Sequence, residues 1–463
     1  MVEPAAGRKA LLALRQMITD HEQAFLEALH HDSGKPPVEA YASEISLVLD
    51  EISFLLRQGR KVLKPSQVRG LGLWFQNQAT ISREPFGRVL VISPWNYPFQ
   101  LSLLPVAGAL LAGNTCVLKP SELAPATAAL LTDLAPRYFP APTGPGEPRL
   151  RIVTGDAKVA KELLQESWDF VFFTGSGKIG RIVSESLSSR LIPHVLELGG
   201  KNPVIIGPGG VTPILVRRLV WAKFINCGQT CIAPDDVLVP LHDAPKLIEL
   251  LTAQLNSFYG ADPAQSPDYG RIGHTGHFDR LVQMLESSLV HAGYPGEQPE
   301  SAPRILSGGH YDRTSLYFAP TLVTGLAATV PLATEEIFGP ILPIQTYQDE
   351  QELIELLKAR PQPLTVYCLS QDNRFAKRMA QNIRTSSFAH NQFIYHAASS
   401  HLPFGGLGSS GHGRYHGLSS LRTFTYDKII YQNSGKFDLA QQFPPYGTRA
   451  LSFYRNLVRF LRR

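Results

Sequence analysis

The chain has few cysteines and no long apolar run, and each shortage excludes a class of protein. Its 463 residues include four cysteines at irregular spacing, which do not make the framework of a disulfide-stabilised secreted domain. A reducing compartment and a cytoplasmic location are therefore expected. No apolar run approaches the roughly 20 residues of a membrane span, and the N-terminal residues lack an apolar signal core.

The chain also has a low net charge. The net charge of +5 is small for this length and is spread along the chain. No basic stretch is interleaved with aromatic residues as in proteins that bind single-stranded nucleic acid, so nucleic acid is not an expected partner. A hydrophobic content of 44% and a charged content of 18% are typical of a globular protein. The length predicts two large domains, or two domains and an arm.

Apolar strands alternate with helical segments along most of the chain. In the first block, buried strands are predicted at 89–92, 115–118, 150–153, 170–173 and 204–206. A second block of the same kind begins near Gly200 and continues to about residue 369. This alternation predicts an α/β protein with doubly wound parallel sheets, which bind ligands at the carboxyl ends of their strands.

Two segments suggest nucleophilic catalysis. In the segment 224–234, Cys231 stands among small residues just before a Pro-bounded turn, with Asn and Gln amides nearby. It is the candidate nucleophile; the alternative is a buried small hydrophobic residue. Asn96 is held between two prolines at the end of an apolar strand. It is the candidate hydrogen-bond donor to an oxyanion, unless it only caps a turn.

A candidate base and a candidate dinucleotide loop lie between these segments. Glu197, between two leucines and before a Gly pair, is the candidate general base; the alternative is an ion pair with Lys201. Gly175, Ser176 and Gly180 belong to a G-x-G-x-x-G pattern that follows a predicted strand and opens a helix. Such a loop brings backbone N–H groups to a pyrophosphate, although a plain Gly-rich turn would look the same. The generic fingerprint would make Glu197 the ribose-binding acid.

Six motifs in one order, from about residue 8 to about residue 430, carry a family resemblance. The sequence resembles the aldehyde dehydrogenases, in particular the class 3 branch that acts on fatty and aromatic aldehydes. The motifs lie at 94–98, 119–122, 197–201, 226–234, 335–340 and 402–406.

The resemblance implies a division of the chain. The aldehyde dehydrogenase fold has two doubly wound parallel-sheet domains and a small oligomerisation arm, and such an arm implies a homodimer. On this pattern, the dinucleotide-binding domain comprises 1–64 and 86–197, and the catalytic domain comprises 198–405. The arm comprises 65–85 and 424–440, and a basic amphipathic tail comprises 446–463.

The resemblance also implies a reaction. An apolar aldehyde, aliphatic of medium or long chain or aromatic, would be oxidised to a carboxylic acid through a thiohemiacetal and a thioester on Cys231. Asn96 would stabilise the oxyanion, and Glu197 would activate the water that hydrolyses the thioester. The ribose role passes to Glu122, with Lys119 beside the adenosine.

The remaining cofactor contacts come from the same comparison. Glu336 and Phe338 match positions that hold the nicotinamide ribose and ring, although the segment could be a Pro-terminated turn. Glu122 would repel a 2′-phosphate, which favours NAD, while relatives with this motif often accept NADP as well. The alternative function is a catalytically silent or thioester-forming protein on the same scaffold.

Three further features were open to two interpretations. Cys227, four residues before Cys231, would share a face with it on a helix and pair with it on oxidation, or would simply fill space. The segment 449–463 has an apolar face with its arginines mostly on the other face, which suits an anionic membrane surface; the alternatives are packing against a partner subunit or a frayed end. Two histidine pairs have spacings that a metal could use, but no third ligand is near, so no metal site is predicted. The pairs are His274 with His277 and His412 with His416.

Overall fold

Two largely parallel sheets flanked by helices form the body of the protein in the computed structural model, which describes residues 4–68, 77–142, 146–290, 302–436 and 438–461. The helices are α1 (Pro4–Asp20), α2 (Glu22–Ser33), α3 (Pro37–Ala40), α4 (Ser46–Leu63), α5 (Gln100–Leu111), α6 (Pro125–Tyr138), α7 (Ala157–Gln165), α8 (Gly177–Ser188), α9 (Pro213–Phe224), α10 (Ala244–Tyr259), α11 (Thr275–Leu289), α12 (Pro331–Thr334), α13 (Glu350–Lys358), α14 (Asn373–Asn382), α15 (Tyr395–Ala398), α16 (Leu418–Thr423) and α17 (Ala450–Leu461). A π-helical turn, Tyr41–Ile45, connects α3 to α4.

The strands are β1 (Ser66–Val68), β2 (Asn77–Pro85), β3 (Arg88–Ile92), β4 (Thr115–Lys119), β5 (Leu150–Ile152), β6 (Phe170–Thr174), β7 (His194–Glu197), β8 (Pro203–Ile206), β9 (Asp236–Pro240), β10 (Arg304–Ser307), β11 (Tyr311–Asp312), β12 (Tyr317–Phe318), β13 (Thr321–Thr324), β14 (Ile341–Tyr347), β15 (Thr365–Leu369), β16 (Ser387–His390), β17 (Gly411–His412) and β18 (Thr425–Asn433).

The first sheet has the strand order β17-β7-β6-β3-β4-β5. Its strands are parallel except β17, which pairs antiparallel with the end of β7. The chain starts at β3, extends through β4 to β5, and then returns to β6 on the other side of β3. The order therefore reverses between β3 and β6, and ligands of doubly wound sheets bind at such a point.

The second sheet has the order β10-β13-β14-β9-β8-β15-β16, with β10 antiparallel at one edge and the other strands parallel. Its strands are apolar and mostly buried, because helices cover both faces of a parallel sheet. One apolar core, around α9, α10 and α11, packs on one face, and a smaller one, around α13 and α14, packs on the other.

A third sheet of three antiparallel strands stands apart from the other two. Its order is β1-β2-β18, with β2 and β18 paired over nine residues. The two predicted arm segments thus pair with each other. Eight of the nine side chains of β18 are exposed, including those of Ile429 and Tyr431.

The alternation of strands and helices that the sequence predicts is confirmed, while some details differ. The N-terminal helical region is divided at His21 into α1 and α2, and β7, β16 and β17 are not among the strands that the sequence predicts. Residues 69–76 of the predicted arm, and Arg462 and Arg463 of the predicted tail, lie outside the described residues. Across the described ranges, no helix is both long enough and apolar enough to cross a membrane.

Candidate active site

The segment that carries Cys231 turns sharply as it leaves α9. Asn226 and Cys227 both have φ of 52°, and Gly228 has φ of 72°, so three successive residues adopt the left-handed region. This conformation costs free energy in non-Gly residues and is retained where the surroundings impose it. Here the carbonyl of Cys231 accepts a hydrogen bond of 2.8 Å from the Asn202 side chain. The segment therefore has a fixed path up to Cys231.

This path corrects one expectation about Cys227. The left-handed residues end the helix before Cys231, so the two cysteines do not share a helical face. Cys227 is fully buried in the core around α9 and α10, and burial raises the pKa of its thiol. Cys231 is partly exposed, whereas Cys116, Cys227 and Cys368 are buried. The space-filling interpretation of Cys227 therefore agrees with its surroundings.

Asn96 lies beside the cysteine segment, four residues after β3 ends. Its side-chain amide donates a hydrogen bond of 2.9 Å to the carbonyl of Gln229, two residues before Cys231. Its own backbone carbonyl accepts a bond of 2.9 Å from the side chain of Asn226. An amide nitrogen has two hydrogens, so one N–H of Asn96 stays available for a ligand.

Glu197 ends β7 and is buried. The alternative ion pair between Glu197 and Lys201 is not formed, because Lys201 donates to Asp235 at 2.8 Å and to two backbone carbonyls. Neither carboxylate oxygen of Glu197 has a hydrogen bond of ordinary geometry. Burial raises the pKa of this carboxyl well above its usual range, although Arg414 and the Gly406 N–H oppose the shift. Glu197 is therefore a buried carboxyl without a fixed partner.

Cys231 lies where two cavities meet. The charged cavity, of about 580 Å³, is lined on one side by Thr174, Ser176, Glu197, Arg280, Glu336 and Phe338. The apolar cavity, of about 470 Å³, is lined on its far side by Leu47, Trp221, Ile225, Ile394, Tyr395 and Ala398. Both cavities are lined by Leu101, Cys231, Phe404 and Tyr415. The thiol is thus reachable from both sides.

The same walls keep the thiol neutral. Burial raises the pKa of Cys231 to about 12, and the carboxyls of Glu336 and Glu197 add to this shift. The backbone N–H groups of Cys231 and Ile232 oppose it. The side chain is partly exposed where it lines the two cavities, and the protein atoms packed around the rest of it account for the direction of the shift.

The predicted cofactor residues separate into three groups. Gly175, Ser176, Glu336 and Phe338 line the charged cavity, and Ser176 caps α8 by accepting from the N–H of Ile179. Lys119 and Glu122 form an ion pair of 2.9 Å beyond β4, outside the lining of this cavity. Gly180 does not line it either. An added Cβ there would lie 2.6 Å from the Leu198 side chain, so Gly180 permits close packing of α8 on β7.

Several polar atoms around the charged cavity are buried without a partner. They are Oγ1 of Thr174, both carboxylate oxygens of Glu197, and Oε1 of Glu336. Buried polar atoms normally have hydrogen bonds, so a polar ligand with hydroxyl groups would suit this cavity. The Glu336 carboxyl lies against Gly199, where an added Cβ would approach it to 2.1 Å. Burial and then Asp235 raise the pKa of Glu336 to about 8.

Two residues that the sequence analysis did not assign hold the Glu336 segment in place. His277 Nε2 lies 2.7 Å from the carbonyl of Phe338, and Arg280 donates to the carbonyl of Glu336 at 3.2 Å. Burial lowers the pKa of His277 to about 3, so its ring is neutral and donates from Nε2. Their i, i+3 spacing predicts a shared face of α11, but not the segment that this face meets.

Tyr415 is a further residue that the sequence did not single out. It is buried and lines both cavities beside Cys231. Burial raises the pKa of its hydroxyl well above the usual range, and Glu197 and Cys231 add to the effect.

As for metals, no three His, Cys, Asp or Glu side chains of the described ranges are grouped to hold an ion.

The match to a family model covers most of the chain. The model of the aldehyde dehydrogenase family matches residues 2–430. This chain belongs to the aldehyde dehydrogenase family. As an aldehyde dehydrogenase it is an oxidoreductase that oxidises aldehydes with a nicotinamide dinucleotide, NAD(P), as the electron acceptor.

Curated relatives of this aldehyde dehydrogenase are similar over nearly their whole length. A 4,4'-diapolycopene-4,4'-dial dehydrogenase of Cytobacillus firmus is 41% identical over 91% of this chain and 89% of that protein. Aldehyde dehydrogenase family 3 member H1 of Arabidopsis thaliana is 38% identical over 95% and 87%. Family 3 member B1 of Mus musculus is 36% identical over 95% and 90%. The resemblance to the class 3 branch is therefore confirmed.

Solved structures confirm the aldehyde dehydrogenase fold. The substrate-bound state of Staphylococcus aureus AldH has a TM-score of 0.91 at 36% identity, covering 98% of this chain and 95% of that one. The aldehyde dehydrogenase of Mycobacterium tuberculosis complexed with NAD+ has a TM-score of 0.81 at 26% identity, covering 94% and 86%.

Proposed function

We propose that this enzyme oxidises apolar aldehydes to carboxylic acids by covalent catalysis on Cys231. The observation that supports this most is the position of that thiol, which is the only cysteine among the residues lining either cavity described above. Asn96 and Glu197 line the charged cavity with it. A nucleophile, an oxyanion donor and a proton acceptor are thus available around one point.

The chemistry assigns one task to each residue. The thiol of Cys231 loses its proton to solvent, and the thiolate attacks the aldehyde carbon. The free N–H of Asn96 and the Cys231 backbone N–H stabilise the oxyanion of the thiohemiacetal. A nicotinamide held in the charged cavity would supply the acceptor for the hydride that the thiohemiacetal carbon loses, and this loss would convert the thiohemiacetal to a thioester on Cys231. Glu197 takes a proton from the water that attacks this thioester, which releases the acid and restores the thiol. A carboxyl with a raised pKa suits such a base.

The cofactor would occupy the charged cavity. Glu336 Oε1, which is buried without a partner, would accept a hydrogen bond from a ribose hydroxyl. The N-terminal end of α8, with Gly175 and Ser176, would face a pyrophosphate. Beyond β4, Glu122 would repel a 2′-phosphate, while its ion pair with Lys119 partly screens that charge. We propose NAD as the preferred cofactor, with NADP accepted less well.

The substrate would occupy the apolar cavity. In the part that does not adjoin the charged cavity, its lining includes Leu47, Trp221, Ile225 and Ile394, and no Asp, Glu, Lys or Arg. Such walls favour aliphatic or aromatic aldehydes. A relative from Cytobacillus firmus is named for a dialdehyde, 4,4'-diapolycopene-4,4'-dial, which agrees with an apolar substrate class. The physiological aldehyde is one member of this class.

The assay is the formation of reduced nicotinamide with octanal or benzaldehyde and with each cofactor. We expect turnover with both aldehydes, and a higher kcat/KM with NAD than with NADP. Cys231→Ser should abolish turnover while nucleotide still binds. The matched control is Cys227→Ser, which alters the buried neighbouring cysteine and should keep turnover. Turnover by Cys231→Ser would contradict the proposal.

One further variant separates oxidation from hydrolysis. Glu197→Gln should give a burst of about one reduced nicotinamide per site and then slow turnover, because the hydride step precedes hydrolysis. A wild-type enzyme that itself stops after such a burst would indicate the thioester-forming alternative. A protein that binds nucleotide and gives no burst would be catalytically silent.

Domain boundaries and partners extend the proposal. The dinucleotide-binding parts 1–64 and 86–197, the catalytic part 198–405 and the arm segments 65–85 and 424–440 remain proposals. A homodimer formed through the arm is supported by the exposed apolar side chains of β18. Contact of α17 with an anionic membrane surface is supported by its exposed Leu451 and Val458, which lie on one side of the helix next to Arg455 and Arg459. A cytoplasmic location remains a prediction from cysteine usage.

A further inference from the structure

Three charged side chains of the N-terminal segment reach the two loops that carry Asn96 and Cys231. We propose that Lys35, Glu39 and Glu44, here called the clamp, are positioning residues that fix the oxyanion donor relative to the nucleophile. This inference rests on the proposed function, because it assumes that Asn96 stabilises the oxyanion. The clamp residues do not line either cavity, so they would act through the loops.

The first part of the clamp is a buried ion pair. Lys35 Nζ donates to Glu44 Oε1, and both side chains are inaccessible to solvent. The same Nζ lies 3.3 Å from the backbone carbonyl of Asn96 and 4.3 Å from the centre of the Tyr97 ring. A buried ammonium needs such partners, so its position dictates where the Asn96 carbonyl lies.

The second carboxylate oxygen of Glu44 binds the other end of the loop that carries Asn96. Glu44 Oε2 accepts from the backbone N–H of Phe99 at 2.9 Å and of Gln100 at 3.2 Å. These N–H groups open α5, and helices leave such groups without intrahelical partners. A carboxylate at a helix N-terminus is also favoured by the helix dipole. One ion pair thus fixes both ends of the stretch 96–100.

The third residue reaches the cysteine loop. Glu39 Oε1 accepts from the backbone N–H of Asn226 at 2.8 Å, at the first of the left-handed residues. The Asn226 side chain in turn donates to the carbonyls of Asn96 and Gln229 at 2.9 and 3.2 Å. Asn96 also donates to Gln229. The two catalytic loops are therefore bonded to each other and to one N-terminal segment.

The local helix geometry lets one segment serve both loops. Glu39 and Glu44 are five residues apart, which on an α-helix would place them about 140° apart around the axis. The π-helical turn Tyr41–Ile45 lies in this interval, and its hydrogen bonds run between residues five apart. Such turns occur often at functional sites. The wider turn allows both carboxylates to meet catalytic loops.

A purely structural ion pair would make a different prediction. Loss of Lys35 would then lower stability, with no particular link to Asn96. A positioning role requires that loss of Lys35 lowers kcat through Asn96, because misplacing a catalytic group by about 1 Å can cost about a hundredfold in rate. The double-mutant cycle of Lys35 and Asn96 separates the two roles.

The experiment measures kcat with saturating NAD and octanal in full-length enzyme. We expect Lys35→Met and Glu44→Gln each to lower kcat by about tenfold to a hundredfold, with KM for NAD changed less than about twofold. In the Asn96→Ala background, Lys35→Met should have little further effect on kcat. The matched control is Asp32→Asn, which alters a carboxylate of the same segment that accepts two backbone N–H groups at the start of α6.

The outcomes are distinguishable. Equal effects of Lys35→Met in wild-type and Asn96→Ala backgrounds, or an equal fall in kcat for Asp32→Asn, would overturn the clamp. An unchanged kcat in Asn96→Ala alone would instead contradict the proposed function. Where Lys35→Met does not fold, Glu44→Gln in the two backgrounds provides the same cycle, since it keeps the size and a carbonyl acceptor.

Discussion

At the scale of single residues, the proposed nucleophile Cys231 is unusual because its surroundings oppose ionisation of its thiol. Its pKa is raised to about 12 by burial and by two facing carboxyls. The thiolate is the reactive form, and these surroundings favour the less reactive, protonated thiol. Reactivity then depends on what enters the charged cavity, since a ligand there changes both the solvation and the charge around the sulfur.

This gives a pH prediction for the enzyme without ligands. Because the pKa lies far above neutrality, the thiolate fraction and the alkylation rate by iodoacetamide should rise about tenfold per pH unit from about pH 6 to about pH 9. Labelling is followed by mass spectrometry of the Cys231 peptide, with Cys231→Ser as the control. A rate that levels off below about pH 8 would contradict the raised pKa.

Many of the residues that line the charged cavity could be predicted from the sequence, because each belongs to a short motif. Cys231, Asn96 and Glu197 line one cavity, as do Gly175, Ser176, Glu336 and Phe338. Their catalytic and binding roles stay predictions. The position of Gly180 differs from the expectation, because a third glycine in the fingerprint serves helix packing as readily as a ligand contact.

The clamp was not predictable, for a physical reason. Lys35 and the Asn96 carbonyl are separated by 61 residues, and no local pattern connects them. Charged residues on a short N-terminal helix normally face solvent, so their types alone indicate an exposed surface. Only the tertiary arrangement reveals a buried ion pair.

At the scale of elements, apolar runs predicted most strands of the first sheet, including the short β5, but missed β7 and β17. The strand β17 has two residues and β7 has four, too few to show an alternation. Yet β17 pairs with the strand that ends at Glu197. Elements that complete the edge of the first sheet are therefore fixed by tertiary pairing more than by their own residues.

The segment that the sequence predicts to be an amphipathic helix is the helix α17, and its binding partner is still to be identified. The segment Ala450–Leu461 is a helix, and its Leu451 and Val458, on one side of it, are exposed by 61% and 42%. We expect the full chain to float with anionic vesicles and a chain ending at Tyr446 not to do so. The double variant Arg455→Glu, Arg459→Glu should weaken flotation at low salt. Equal flotation of the full and shortened chains would exclude a membrane role for the helix.

At the scale of the whole molecule, the arm sheet leaves eight of the nine side chains of one strand exposed. Its strand β18 exposes Ile429 by 70%, together with Tyr431. Exposed apolar strands invite pairing with another chain, and a closed dimer would protect this one. The arm is therefore the surface on which we expect a second copy to dock.

A single charge on β18 tests this expectation. Ile429→Glu should shift the mass measured by light scattering from dimer to monomer, because it buries an unpaired carboxylate in the interface. The matched control is Ile214→Glu on α9, which alters an isoleucine of similar exposure, 65%, outside the arm. Wild type that is itself monomeric, or an unchanged dimer in Ile429→Glu, would argue against an arm interface.

Because the two cavities meet at the sulfur of Cys231, they also bear on how reactants enter and leave the enzyme. Lys178 and Glu335, both exposed, lie at the rim of the charged cavity, and the exposed Tyr395 lies at the rim of the apolar one. If nucleotide binds in the charged cavity and aldehyde in the apolar one, as proposed, each would enter by a separate opening. The acid product could then leave before the nucleotide does, and substitutions at one opening would alter the binding of one reactant and not of the other.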